Sequence, residues 1–142
     1  MNIQELKDKN SPKLKAFEKQ EWIHADKEHY GENLPDFTKT TYTYIAQEDK
    51  KIIGFIKFTT DLGVACIDSL MVGRTAQRKG IGSQLVQKAE QEAKKLGCHK
   101  VWLETGVDWS ARKLYESLGY TLRCTLPKYY AKKDFVILDK EI

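Results

Sequence analysis

The segment that most constrains this chain is Leu70-Met71-Val72-Gly73-Arg74-Thr75-Ala76-Gln77-Arg78-Lys79-Gly80-Ile81-Gly82-Ser83, an apolar run leading through a basic, glycine-bearing loop into an amphipathic stretch. It reads as strand, turn and helix, which sets a helix N-terminus at the end of a strand. Gly80 and Gly82 lack a Cβ, so main-chain N–H groups can crowd around an anion, and the helix start adds its positive dipole end. A diphosphate suits such a loop, with Gln77, Arg78, Lys79, Gly80, Ile81, Gly82 and Ser83 as its candidate contacts. The competing reading is a plain surface turn ahead of a helix.

What the loop lacks narrows the ligand. A P-loop requires Gly-x-x-x-x-Gly-Lys-Ser/Thr, and Ile81-Gly82-Ser83 supplies no Lys-Ser/Thr pair, which disfavours ATP and GTP. A dinucleotide fingerprint requires a third glycine where this chain has Leu85, which disfavours NAD.

A chain of 142 residues, 41% hydrophobic, has material for one domain with one core, residues 1–142. The net charge of +4 demands no nucleic acid. Cys66, Cys98 and Cys124 are odd in number and lack metal-ligand spacing, so neither disulfides nor zinc is expected. The opening residues lack the apolar core of a signal peptide and no run is long enough to cross a bilayer, so a cytoplasmic protein without membrane partners is expected.

The spacing predicts a short strand over Asn2 to Lys7, then a helix from Pro12, capped by Ser11, to about Tyr30, with Leu14, Phe17, Trp22 and Ala25 as a ragged apolar stripe and Gly31 as a left-handed stop. Period-two alternation predicts strands over Thr40 to Ile45, Ile52 to Thr59 and Val64 to Val72, joined by short turns into an antiparallel meander. A helix from about Gly80 to Leu96 should bury Ile81, Leu85, Ala89, Ala93 and Leu96. Val101 to Glu104, following a helical crossover, should pair parallel to Val64 to Val72. A helix over Asp108 to Leu118 and strands over Tyr120 to Leu126 and Phe135 to Leu138 complete an α/β order with a mixed, mostly antiparallel sheet.

Gln77 to Gly82 resembles the Gln/Arg-x-x-Gly-x-Gly/Ala loop of the GNAT family of acyl-CoA N-acyltransferases. Asp108-Trp109-Ser110-Ala111-Arg112-Lys113-Leu114-Tyr115-Glu116-Ser117-Leu118-Gly119-Tyr120 is similar to that family's Asn-x-x-Ala-x-x-Leu-Tyr-x-x-x-Gly-Phe segment, with Asp108 in place of the asparagine. The resemblance implies that the central strands splay apart and that acetyl-CoA, as co-substrate, lays its pantetheine arm in the gap. Main-chain atoms near Leu70, Met71 and Val72 would then bond its amides. It also implies roles for Asp108, Ala111 and Tyr115 along that arm and leaves Arg74 between a solvated charge and a contact to the nucleotide 3′-phosphate.

Direct transfer to a primary amine needs a base, an oxyanion partner and a proton for the departing thiolate. An alkylamine with pKa about 10.4 is neutral in only about one molecule in two thousand at pH 7. Asp68 is the first candidate base, by resemblance to the polyamine-acetylating branch, and Glu104 the second; other members carry an acid where this chain has Cys66. A carboxylate within a central strand also fits a purely structural anchor. Tyr115, on the tyrosine of the second motif, is the candidate proton donor to sulfur, or else core filling. Acceptors remain open: a small polyamine-like or amino-acid-derived amine, or a protein N-terminus or lysine, toward which Tyr129-Tyr130 points. The acidic Glu21, Asp26, Glu28, Glu32 and Asp36 are either an attractive rim for a cation or a solvated face. A non-catalytic acyl-CoA sensor, and a homodimer formed through the final strand, also stay open.

Overall fold

Two-residue turns set the first half of the sheet. In the computed structural model, which describes Met1 to Ile142, Asp49 and Lys50 both have positive φ, as do Leu62 and Gly63. That backbone matches the twist of paired strands and makes tight hairpins. They join β1 (Thr40–Glu48) to β2 (Lys51–Asp61) and β2 to β3 (Val64–Val72), both antiparallel. The chain then passes through α2 (Ile81–Lys95) to β4 (Lys100–Gly106), α3 (Ser110–Ser117), β5 (Thr121–Leu126) and β6 (Phe135–Glu141), α1 (Pro12–Tyr30) having preceded the sheet. The six strands lie in the order β1-β2-β3-β4-β6-β5.

Residues Met1–Asp36 and Phe37–Ile142 form two compact units. In the first, α1 begins at Pro12 as its cap signal implies, and buries no residue. Gly31 ends it at a positive φ of 80°, as a glycine stop implies, while its ψ of −167° lies outside the left-handed helical well expected for the cap. Asn2 to Lys7 forms no strand; a six-residue run has no ladder to satisfy its main chain without a partner strand.

In the second unit, alternate residues of the sheet build the core: Ile56 and Phe58, Ala65 and Ile67, Val101 and Leu103, Val136 and Leu138. Leu85, Val86, Ala89 and Ala93 of α2 close over them. Leu96, expected on that face, is 48% exposed because it is already the cap residue, one position before the positive-φ Gly97. The closing hairpin inserts β6 beside β4 and leaves β5 at the edge.

The parallel β3–β4 contact is short. Val64 pairs with Lys100, Ala65 with Val101 and Cys66 with Trp102, and there the ladder stops. β4 continues to Gly106 by pairing with β6, and β3 continues to Val72 by pairing with β2. The two central strands therefore diverge, leaving the β4-facing edge of β3 without a ladder from Ile67 onward.

Candidate functional site

A cleft of ≈ 540 Å³ opens where α2 begins. Its walls include Leu70, Met71, Val72, Gln77, Arg78, Gly80, Ile81, Gly82 and Ser83, together with Ala111 of α3. Gly80 sits at φ 77°, ψ 4°, the left-handed conformation that glycine adopts without strain, and Arg78 before it also has positive φ. The first main-chain N–H of α2 to find a helical partner is that of Gln84, bonded to Gly80 O at 3.1 Å. The amides of Ile81, Gly82 and Ser83 are thus free of intrahelical bonds at the positive end of the helix dipole.

Side chains around this cleft depart from the sequence reading at three points. Gln77 turns back, its Nε2 donating to Val72 O at 3.0 Å, so it fastens the loop to the end of β3. Lys79 and Asp108 are exposed and do not line the cleft. Ala76, Ser110, Lys113 and Leu114, which sequence reasoning missed, do line it. Ser110, Ala111, Lys113 and Leu114 fall on one face of α3, a helical period already present in the second motif. Gly82 lets α3 approach, since a Cβ there would stand 3.3 Å from Leu114 Cδ2.

Beyond Met71 a second cavity of ≈ 300 Å³ occupies the gap between the diverging strands. Asp68, Glu104 and Tyr115, the three candidates for proton transfer, all line it, with Phe55, Ser69, Thr105 and Trp109 as further walls. Leu70, Met71 and Ala111 line both cavities.

Asp68 occupies a β-bulge: Lys57 pairs with Ser69 and Phe58 with Ile67, so Asp68 has no opposite number on β2. The extra residue turns its carboxylate to an exposed position rather than into the core. Thr59 Oγ1 donates to its Oδ2 at 2.7 Å.

Cys66 is half-buried, and its thiol is pushed up to about 12, first by desolvation and then by the negative charges of Asp68 and Glu104. Both carboxylates therefore lie near enough to act on the Cys66 thiol, and both line the cavity between the diverging strands. The negative charge of Glu104 is also the main cause that raises the Tyr130 hydroxyl above its ordinary value. Tyr115 is 4% exposed and burial raises its hydroxyl well above the usual tyrosine value, so it keeps its proton at any physiological pH. Its ring meets that of Tyr120 edge-on at 5.4 Å, so it fills core as well as lining the cavity.

The three cysteines are free and no helix is long and apolar enough to cross a membrane.

The sequence profile of the acetyltransferase (GNAT) family matches residues 4–120. An uncharacterised N-acetyltransferase of Methanocaldococcus jannaschii is 34% identical over 97 residues, 67% of this chain and 62% of that protein. The [ribosomal protein bS18]-alanine N-acetyltransferase of Haemophilus influenzae is 34% identical over 85 residues, 60% of this chain and 58% of that protein. The chain thus spans about three fifths of the length of these curated relatives. Among solved structures, a Bacillus subtilis acetyltransferase in complex with CoA superposes with a TM-score of 0.67 at 23% identity, covering 72% of this chain and 77% of that one. With a family profile that spans both motifs and most of the sequence, the chain belongs to the acetyltransferase (GNAT) family.

Proposed function

We propose that this chain is an acetyl-CoA-dependent N-acetyltransferase that moves an acetyl group to a primary amine by direct attack, with residues 1–142 acting as one transferase domain in the cytoplasm. The observation that carries this reading is the continuity of the two cavities through Leu70, Met71 and Ala111. The free amides of Ile81, Gly82 and Ser83, with Arg78 and Lys113, suit the diphosphate at one end. Asp68, Glu104 and Tyr115 surround the other end, where the thioester would lie. The family profile and the Bacillus subtilis structure with CoA support the same ligand.

Acetyl-CoA supplies an activated acyl carbon and a thiol leaving group. Asp68 or Glu104 takes the ammonium proton, directly or through water, and the neutral nitrogen forms the C–N bond as the C–S bond breaks. Tyr115 holds a proton at its hydroxyl for the sulfur. Burial makes that donation more uphill than the roughly 2 kcal/mol given by unperturbed values of about 10 and 8.5. A hydrogen bond from a hydroxyl that stays protonated is therefore its contribution at the start of C–S cleavage.

A small polyamine-like or amino-acid-derived amine is the favoured acceptor, because the exposed Asp68 carboxylate lines the cavity where it would enter. The second reading, a protein N-terminus or lysine, is favoured by Tyr129 and Tyr130 stacking edge-on at 4.5 Å with Tyr130 in the field of Glu104, and by the bS18-alanine activity named for the Haemophilus relative. Measuring thiol release from acetyl-CoA with small amines and with peptides tests both. Turnover with amines supports the first, and turnover with peptides alone supports the second. A coenzyme A-dependent rise in melting temperature without turnover on any acceptor would leave a binding module instead.

A further inference from the structure

One cluster of charged and polar side chains lies outside both cavities. Glu90 of α2 and Lys140 of β6 form an ion pair at 2.8 Å, with side chains 13% and 28% exposed. Lys140 Nζ also stands over the Tyr120 ring, 5.7 Å from its centre. Tyr120 is 4% exposed, and its ring meets that of Tyr115 edge-on. Its main-chain N–H donates to Tyr115 O at 3.1 Å, across the positive-φ Gly119 that follows α3. Tyr120 is therefore fastened to Tyr115 twice, once through the backbone and once through the ring.

The polar ends of this cluster are not fully matched. Glu90 Oε1 and Tyr120 Oη are both buried, and neither makes a hydrogen bond. Unpaired polar atoms in a protein interior are costly and call for a reason. Burial first, and then the negative charge of Glu90, raise the Tyr120 hydroxyl above its ordinary value, so it stays a donor within reach of that carboxylate. Tyr120 stands at the phenylalanine of the second motif, so ring packing alone does not require this hydroxyl. Glu90 lies nine residues beyond Ile81, about 14 Å along α2 at 1.5 Å per residue.

We infer that Glu90 and Tyr120 are positioning residues for Tyr115: the carboxylate, braced by Lys140, holds the Tyr120 ring, and that ring holds the Tyr115 side chain against the cavity between the diverging strands. The inference rests on the transferase reading above and on the role of Tyr115 within it. One helix then serves both ends of the same ligand. The first amides of α2 meet the diphosphate, and further along it Glu90 steadies the hydroxyl offered to the sulfur. The contribution is geometric, since Tyr120 Oη has no hydrogen bond along which a proton could pass.

Tyr120→Phe tests this, because it keeps the ring against Tyr115 and removes the hydroxyl within reach of Glu90. Thiol release from acetyl-CoA by the full chain is measured with 1,4-diaminobutane and with a peptide bearing a free N-terminal alanine. kcat is expected to fall about three- to tenfold while KM for acetyl-CoA stays within about twofold. In a Tyr115→Phe background the same change should alter kcat by less than about twofold, because no hydroxyl is left to position. A general loosening of the fold would instead lower kcat by the same factor in both backgrounds. Equal factors, or a kcat untouched by Tyr120→Phe, overturn the positioning role and leave N-acetyl transfer intact. An unchanged rate in Tyr115→Phe alone overturns it together with the proton role of Tyr115. No thiol release with either acceptor overturns the transferase reading as well.

Discussion

Thr59 Oγ1 donates to Asp68 Oδ2 at 2.7 Å while standing 2.8 Å from Thr41 Oγ1, so three side chains on three adjacent strands form one relay ending at a bulged carboxylate. The bulge re-aims Asp68 toward the strand gap and the relay fixes it there. Asp68→Asn keeps the shape and removes the proton acceptor. It is expected to lower kcat about a hundredfold or more while leaving KM for acetyl-CoA near its starting value. Glu104→Gln should cost less, and a reversed order of the two effects would move the base role to Glu104.

Tyr115→Phe removes one oxygen from a site that otherwise keeps its packing. Because desolvation raises the Tyr115 hydroxyl, its neutral form persists past the ordinary tyrosine value near 10.0. The rate should therefore fall about ten- to a hundredfold across the whole pH profile, and not only on the alkaline limb. A pH-rate profile of the variant checks this; an unchanged rate would reduce Tyr115 to core packing. For stability the sign is the same: the contribution of the buried neutral hydroxyl is complete below pH 10.0 and is lost as pH rises beyond it.

Cysteine labelling separates two of the thiols. Cys66 is raised to about 12 from 9.0, which leaves only about one thiolate in ten thousand at pH 8, whereas Cys124 is exposed on the edge strand. Iodoacetamide at pH 8 should modify Cys124 first and leave Cys66 untouched, as mass spectrometry of digests will show. Cys66 contributes stability below pH 9 that declines as pH climbs toward about 12.

Two glycines make opposite demands. At Gly106 a Cβ would fall 2.6 Å from the Trp109 ring, so Gly106→Ala must displace a side chain that packs edge-on against Phe135 at 5.2 Å. The expected loss is about 1–3 kcal/mol in denaturant melts. Around Gly80 there is space, yet its φ of 77° strains any other residue. Gly80→Ala should cost about 1 kcal/mol and weaken CoA binding more than it lowers stability.

Much of this was legible from residue spacing because short turns bound the apolar strands of the meander and the α2 loop carries its own punctuation. β3 has the bounds that the turn before it and the basic loop after it imply, Val64–Val72. What escaped was set by pairing over long separations. The bulge at Asp68 depends on a register shift against Lys57 and Phe58, which neither strand shows alone. Gln77 reads as a diphosphate contact from its place in the loop, until β3 ends beside it and offers the Val72 carbonyl. Asn2 to Lys7 carries only Ile3 and Leu6 as apolar residues, and no partner strand draws them into a ladder.

The central claim is that the α2 N-terminus and the gap between β3 and β4 together receive acetyl-CoA. Amide NMR of the labelled full chain titrated with coenzyme A tests this directly. The largest shifts should fall on Gly80, Ile81, Gly82 and Ser83, with a second group at Leu70, Met71, Val72 and Ala111. Saturable binding that leaves those amides in place, or no binding at all, would contradict it.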